Sequence, residues 1–99
     1  MDVTKYRFFN DLQALPFVEK IWLFGSRARG DNQERADIDI AVLCPTATTA
    51  EWSHLLDIIE EADTLLKIDC VRFDDLIESS DLKKSILSEG VILYGKRKD

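Results

Sequence analysis

Two aspartates and a glycine–serine pair carry the chemistry legible in this chain. Gly25-Ser26 closes the apolar run Ile21-Trp22-Leu23-Phe24, and ten residues later Asp37-Ile38-Asp39 opens a second one, Ile40-Ala41-Val42-Leu43. Residues i and i+2 of a strand point to the same face. Asp37 and Asp39 are therefore expected side by side, about 6–7 Å apart at about 3.3 Å per residue. Carboxylates held that close repel, and the physical remedy is a divalent cation with oxygen ligands, Mg²⁺ above all. Gly25 lets backbone approach a phosphate closely. Ser26 offers a hydroxyl and an N–H at the start of a helical turn, suited to an anion, although an ordinary helix N-cap reads the same way.

The elements that must hold these residues follow from periodicity. Residues 2–15 read as a helix, with Phe8, Leu12 and Leu15 on one face, stopped by Pro16. Residues 18–24 read as a strand, 26–30 as a short helical turn, Asp31-Asn32 as a turn, and 36–43 as a strand with Ile38, Ile40 and Val42 opposite the aspartates. Thr48 and Glu51 form a capping box for a helix predicted to reach Leu66. Its apolar stripe is Trp52, Leu55, Leu56, Ile59, Ala62 and Leu66. Residues 67–73 read as a strand, 74–77 as a short turn, 81–89 as a helix with Gly90 as its C′ residue, and 91–94 as an edge strand.

A strand, a long helix and a strand form a βαβ unit, whose strands run parallel. Aligned starts would then place Asp69 beside Asp37 and Asp39 as a third carboxylate. The short connection between the first two strands makes them antiparallel and returns Gly25-Ser26 to the same sheet edge. The expected fold is α/β (α+β), a mixed sheet flanked by helices, in a single domain over residues 1–99.

The pattern G-S-x10-D-x-D resembles the signature of polymerase-β-like nucleotidyltransferases. Gly25-Ser26-Arg27-Ala28-Arg29-Gly30 resembles one branch, the minimal nucleotidyltransferases, small antitoxin partners of HEPN-domain toxins. Ala36 departs from the serine that many members carry there, at a position that supplies no metal ligand. The resemblance implies Mg²⁺-dependent transfer of AMP from ATP to a tyrosine hydroxyl of a cognate HEPN ribonuclease toxin, and hence a hetero-oligomer. Two Mg²⁺ ions about 3.5–4 Å apart serve such a reaction. Asp37 and Asp39 would bridge both, and Asp69 would hold the ion next to the acceptor. Arg27 and Arg29 are candidate triphosphate contacts, or else solvated or structural arginines, and Arg29 could instead tie down the loop near the aspartates. Two other readings stand beside this one: a nucleotidyltransferase acting on a small molecule such as an aminoglycoside, and a non-catalytic HEPN-binding module.

Composition bounds the partners. A formal net charge of -6 over 99 residues argues against direct nucleic-acid binding, which needs a basic footprint. The one basic run, Lys96-Arg97-Lys98, reads as a solvated tail. No apolar stretch approaches the ~20 residues of a membrane helix, and no signal peptide opens the sequence, so a cytoplasmic protein is expected. Cys44 and Cys70 lack metal-ligand spacing and read as reduced thiols in or near the core. His54 reads as solvent-facing or half-buried. Asp57, Glu60, Glu61 and Asp63 form an acidic helix face, either solvated or a partner surface.

Overall fold

The computed structural model describes residues 3–30 and 37–96, with Ser26 described by its backbone alone. The turn expected at Asp31-Asn32, the strand start at Ala36, and Arg97 and Lys98 lie outside the described residues. A 3-10 turn at Val3–Lys5 precedes helix α1 (Arg7–Gln13). Strand β1 (Lys20–Phe24), helix α2 (Ser26–Arg29), strand β2 (Ile38–Leu43), helix α3 (Thr49–Glu60), strand β3 (Ile68–Arg72), helix α4 (Asp81–Glu89) and strand β4 (Val91–Gly95) follow.

The strands make one mixed sheet in the order β3-β2-β1-β4. Strand β2 runs antiparallel to β1 and parallel to β3, and β4 pairs antiparallel with β1 as an edge strand. The parallel pairing and the edge position are the ones the sequence pattern predicts.

Alternation along the strands gives the sheet two different faces. Ile38, Ile40 and Val42 are fully buried with Ile21, Leu55 of α3 and Phe8, Phe9 and Leu12 of α1. The opposite face carries a smaller cluster in which Trp22, Ala41, Phe73 and Ile86 of α4 are buried. The Trp22 and Phe73 rings stack there at 4.5 Å. Asp39 and Asp69 stand on this second face, since alternate residues of a strand share a side and Asp39 is in step with Ala41. They lie toward the end of the sheet that the cluster leaves open.

Helix α3 has both halves of the predicted capping box: Glu51 N–H donates to Thr48 Oγ1 at 3.1 Å, and Thr48 N–H to Glu51 Oε1 at 2.9 Å. It ends at Glu60, short of the predicted Leu66. Two short polar side chains explain the early stop by taking backbone donors for themselves. Asp63 leaves the helix to accept from the N–H groups of Arg7 and Phe8 at 3.1 and 3.2 Å, capping α1 from across the chain. Thr64 Oγ1 accepts from Leu66 N–H at 3.1 Å. Of the predicted stripe, Leu55 is buried and Trp52, Ile59, Ala62 and Leu66 pack against the core. Leu56 is exposed, and Ile58 takes its place.

Three further boundaries differ from prediction. The first helix is split into the 3-10 turn and α1, β1 begins at Lys20, and Phe73 belongs to a 3-10 turn over Phe73–Asp75. Gly90 caps α4 with extended backbone, φ -67 and ψ 149, and not in the left-handed form expected of a C′ glycine. Its lack of a side chain still matters, because a Cβ there would run into the Ile86 carbonyl oxygen and come within 3.4 Å of Trp22 Cδ1.

Candidate active site

The turn out of β1 begins the site. Phe24 is paired with Asp39, so the next residue, Gly25, passes beside the Asp39 side chain. Gly25 has φ +73, a left-handed conformation that side chains disfavour. A Cβ at this position would fall on Asp39 Oδ2 and lie 3.3 Å from Asp39 Cγ. Glycine is required here twice over, by backbone conformation and by the room the carboxylate occupies. The chain then turns into α2, whose first residue is Ser26, with Arg29 N–H donating to the Gly25 carbonyl at 3.2 Å.

The parallel register places Asp39 directly opposite Asp69. Burial pushes the Asp39 carboxyl above its ordinary value; the Asp69 charge, a carboxyl–carboxyl hydrogen bond with Asp69, and the Asp37 charge push the same way, while Lys67 opposes them. Lys67 Nζ lies 3.6 Å from Asp69 Oδ1, a largely exposed contact. Its position two residues before Asp69 on the same strand face was a usable signal for it.

Asp37 stands one residue before β2 and is exposed. Its charge reaches Asp39, yet among the described residues no three acidic, histidine or cysteine side chains are gathered into a cage for a metal ion. Two of the three expected carboxylates therefore meet, and the third stands at one remove. The donor set nevertheless fits a hard divalent cation, because every candidate ligand is a carboxylate oxygen and burial together with the neighbouring carboxylates makes the Asp39 carboxylate harder to ionise.

The two arginines have different partners. Arg27 Nε donates to the Asp37 carbonyl at 3.2 Å and so ties down the approach to the aspartates. Arg29 reaches Glu89 at the end of α4, 4.0 Å away. That contact spans 60 residues and has no local signal in the sequence. The Ser26 side chain lies outside the described residues. His54 is exposed on α3. Both cysteines are free, and burial pushes the thiols of Cys44 and Cys70 up to about 11 and about 12, which leaves them unreactive. No helix among the described residues is long and apolar enough to cross a membrane.

The G-S-x10-D-x-D spacing brings a glycine turn against a strand-borne carboxylate, and the parallel register of β2 and β3 adds Asp69 beside it. Residues 10–99 match the family model described as Polymerase beta, Nucleotidyltransferase. The chain belongs to this nucleotidyltransferase family. The "Putative protein adenylyltransferase MJ0604" of Methanocaldococcus jannaschii is 33% identical over an 86-residue alignment, with 78% of this nucleotidyltransferase and 79% of the relative covered. Among solved structures, a toxin–antitoxin crystallised with AMP-PNP superposes with a TM-score of 0.60 at 26% identity, covering 92% of this chain and 70% of that one. A mutant of the toxin–antitoxin MntA-HepT superposes with the same TM-score at 27% identity, covering 92% and 69%. The mixed four-stranded sheet of this nucleotidyltransferase is thus the polymerase-β-like fold, and the enzyme class follows from the family.

Proposed function

We propose that this nucleotidyltransferase moves AMP from ATP to a tyrosine hydroxyl of a partner protein, a HEPN ribonuclease toxin that the modification silences. The convergence of Gly25, Asp39 and Asp69 at one end of the sheet carries the reading. The adenylyltransferase assignment of one relative and the AMP-PNP and toxin–antitoxin descriptions of others support the nucleotide and the partner.

Asp37, Asp39 and Asp69 would hold Mg²⁺, which when bound supplies positive charge to the phosphate oxygens. The bare Gly25 turn and the start of α2 receive the phosphates. The acceptor hydroxyl oxygen attacks the α-phosphorus and forms a new P–O bond. The bond to the β-phosphate breaks, and pyrophosphate leaves with its electron pair. The hydroxyl proton passes to the Asp69 carboxylate and on to solvent. Arg27 holds the Asp37 backbone in place, and both Arg27 and Arg29 are candidate phosphate contacts.

Incubation with α-labelled ATP, Mg²⁺ and the product of the adjacent gene tests the proposal. Label on the partner, absent without Mg²⁺, is expected. Tight association without label would make the chain a non-catalytic binding module instead.

A further inference from the structure

Lys67 is fixed to the carboxylate end of the sheet by its backbone. Ile38 N–H donates to the Lys67 carbonyl at 2.9 Å, which joins Lys67 to the residue that separates Asp37 from Asp39. Ile68 pairs with Ile38 and packs against the main core. Its two neighbours, Lys67 and Asp69, therefore turn to the opposite face. There Lys67 Nζ lies 3.6 Å from Asp69 Oδ1, with the lysine side chain 71% exposed. An exposed ion pair of this kind adds little to stability. Its weight falls on the site instead, because Asp69 already faces Asp39 across the register.

We infer that Lys67 is a built-in counter-cation to Asp69, which a divalent ion must displace, and that it holds down the affinity of the site for the bare ion. The inference rests on the metal-site reading above and adds a residue that sets how tightly that site fills. With no ion present, the ammonium offsets part of the repulsion between Asp69 and Asp39. With an ion held by the same carboxylates, the ammonium repels it. Both effects favour the empty site. A protonated lysine has no lone pair to offer a metal, so it cannot join the ligands and must swing away. Lysine suits that exchange, since its ammonium is a compact charge on a flexible stem and the exposed side chain has water to swing into.

Mn²⁺ takes the same oxygen ligands, and its titration into the full chain without nucleotide, with free Mn²⁺ read by electron paramagnetic resonance, tests the inference. Lys67→Met and Lys67→Gln should each bind Mn²⁺ about three- to tenfold more tightly than the native chain, the effect expected of one unit charge at this spacing under water-like screening. Lys67→Arg keeps the charge and should stay within about twofold. Lys5→Met removes an equal charge from an exposed position in the 3-10 turn before α1 and should also stay within about twofold. Unchanged or weaker Mn²⁺ binding in Lys67→Met and Lys67→Gln would overturn the inference. If ATP binding by calorimetry fell in those variants at the same time, Lys67 would be a phosphate contact instead. Asp39→Asn separates the two claims. Equal Mn²⁺ binding by the native chain and Asp39→Asn would remove the carboxylate site and the inference with it. Loss of binding in Asp39→Asn without tightening in Lys67→Met would leave the site standing and overturn the inference alone.

Discussion

Gly25 is a glycine because of Asp39: any side chain on the turn out of β1 would occupy the space of the Asp39 carboxylate. Placing a methyl group there has two costs. The left-handed backbone disfavours L residues by about 1–2 kcal/mol, and the carboxylate must move. Displacements of this size at a reacting centre lower rates by about 10²-fold. Gly25→Ala is expected to lose transfer activity by about that factor while remaining folded, as measured by single-turnover kinetics beside circular dichroism. Activity within threefold of the native chain would contradict the packing argument.

The elevated Asp39 carboxyl has a consequence for stability. A group whose folded pKa lies above its unfolded value binds more protons when folded, so stability falls as pH rises from the ordinary carboxylate value through the folded one. Above the folded value the metal-free protein carries that cost in full. Asp39→Asn should therefore raise the Tm of the metal-free protein at pH 7, and the gain should vanish below the ordinary carboxylate range. Added Mg²⁺ should raise the Tm of the native chain by mass action and leave the variant unmoved. Thermal melts across pH, with and without Mg²⁺, check both signs.

Asp63 works in the opposite sense. Backbone donors at Arg7, and then at Phe8, hold its carboxyl below the ordinary range. This stabilisation is present above the unfolded value and is lost as pH falls through the folded one. Asp63→Ala should lower the Tm at pH 7 and flatten the acid limb of the stability curve. An unchanged acid limb would show that the α1 cap contributes nothing.

What the sequence made legible was what local patterns govern. The βαβ rule placed β2 and β3 parallel, and counting residues into each strand put Asp69 beside the Asp37 and Asp39 pair, while the pairing with Asp39 itself came from the register. The capping box at Thr48 and Glu51 and the limits of α4 were equally local. The end of α3 was not, because Asp63 is recruited by α1, 55 residues away in sequence, and periodicity alone carries the apolar stripe on to Leu66. The separate tasks of Arg27 and Arg29 were hidden for the same reason: one meets a backbone carbonyl ten residues on, the other a glutamate of a different helix. Gly25 was readable as a turn glycine, while its role in making room for Asp39 depends on the pairing of β1 with β2.

The core offers a test of the two-faced sheet. Leu55 is the fully buried residue of α3 and packs on the Ile38, Ile40 and Val42 face. Leu55→Ala should cost about 2–5 kcal/mol, read by urea denaturation. Leu56→Ala, on the exposed side of the same helix, should change stability by about 0.5 kcal/mol or less.

The central claim is that Asp39 serves nucleotidyl transfer to a protein acceptor. Intact-mass spectrometry of the adjacent-gene product, after incubation with the chain, ATP and Mg²⁺, tests it most directly. The account predicts a gain of one or more AMP units with the native chain and none with Asp39→Asn. An unmodified partner bound tightly to the native chain, or equal modification by the Asp39→Asn variant, would contradict it.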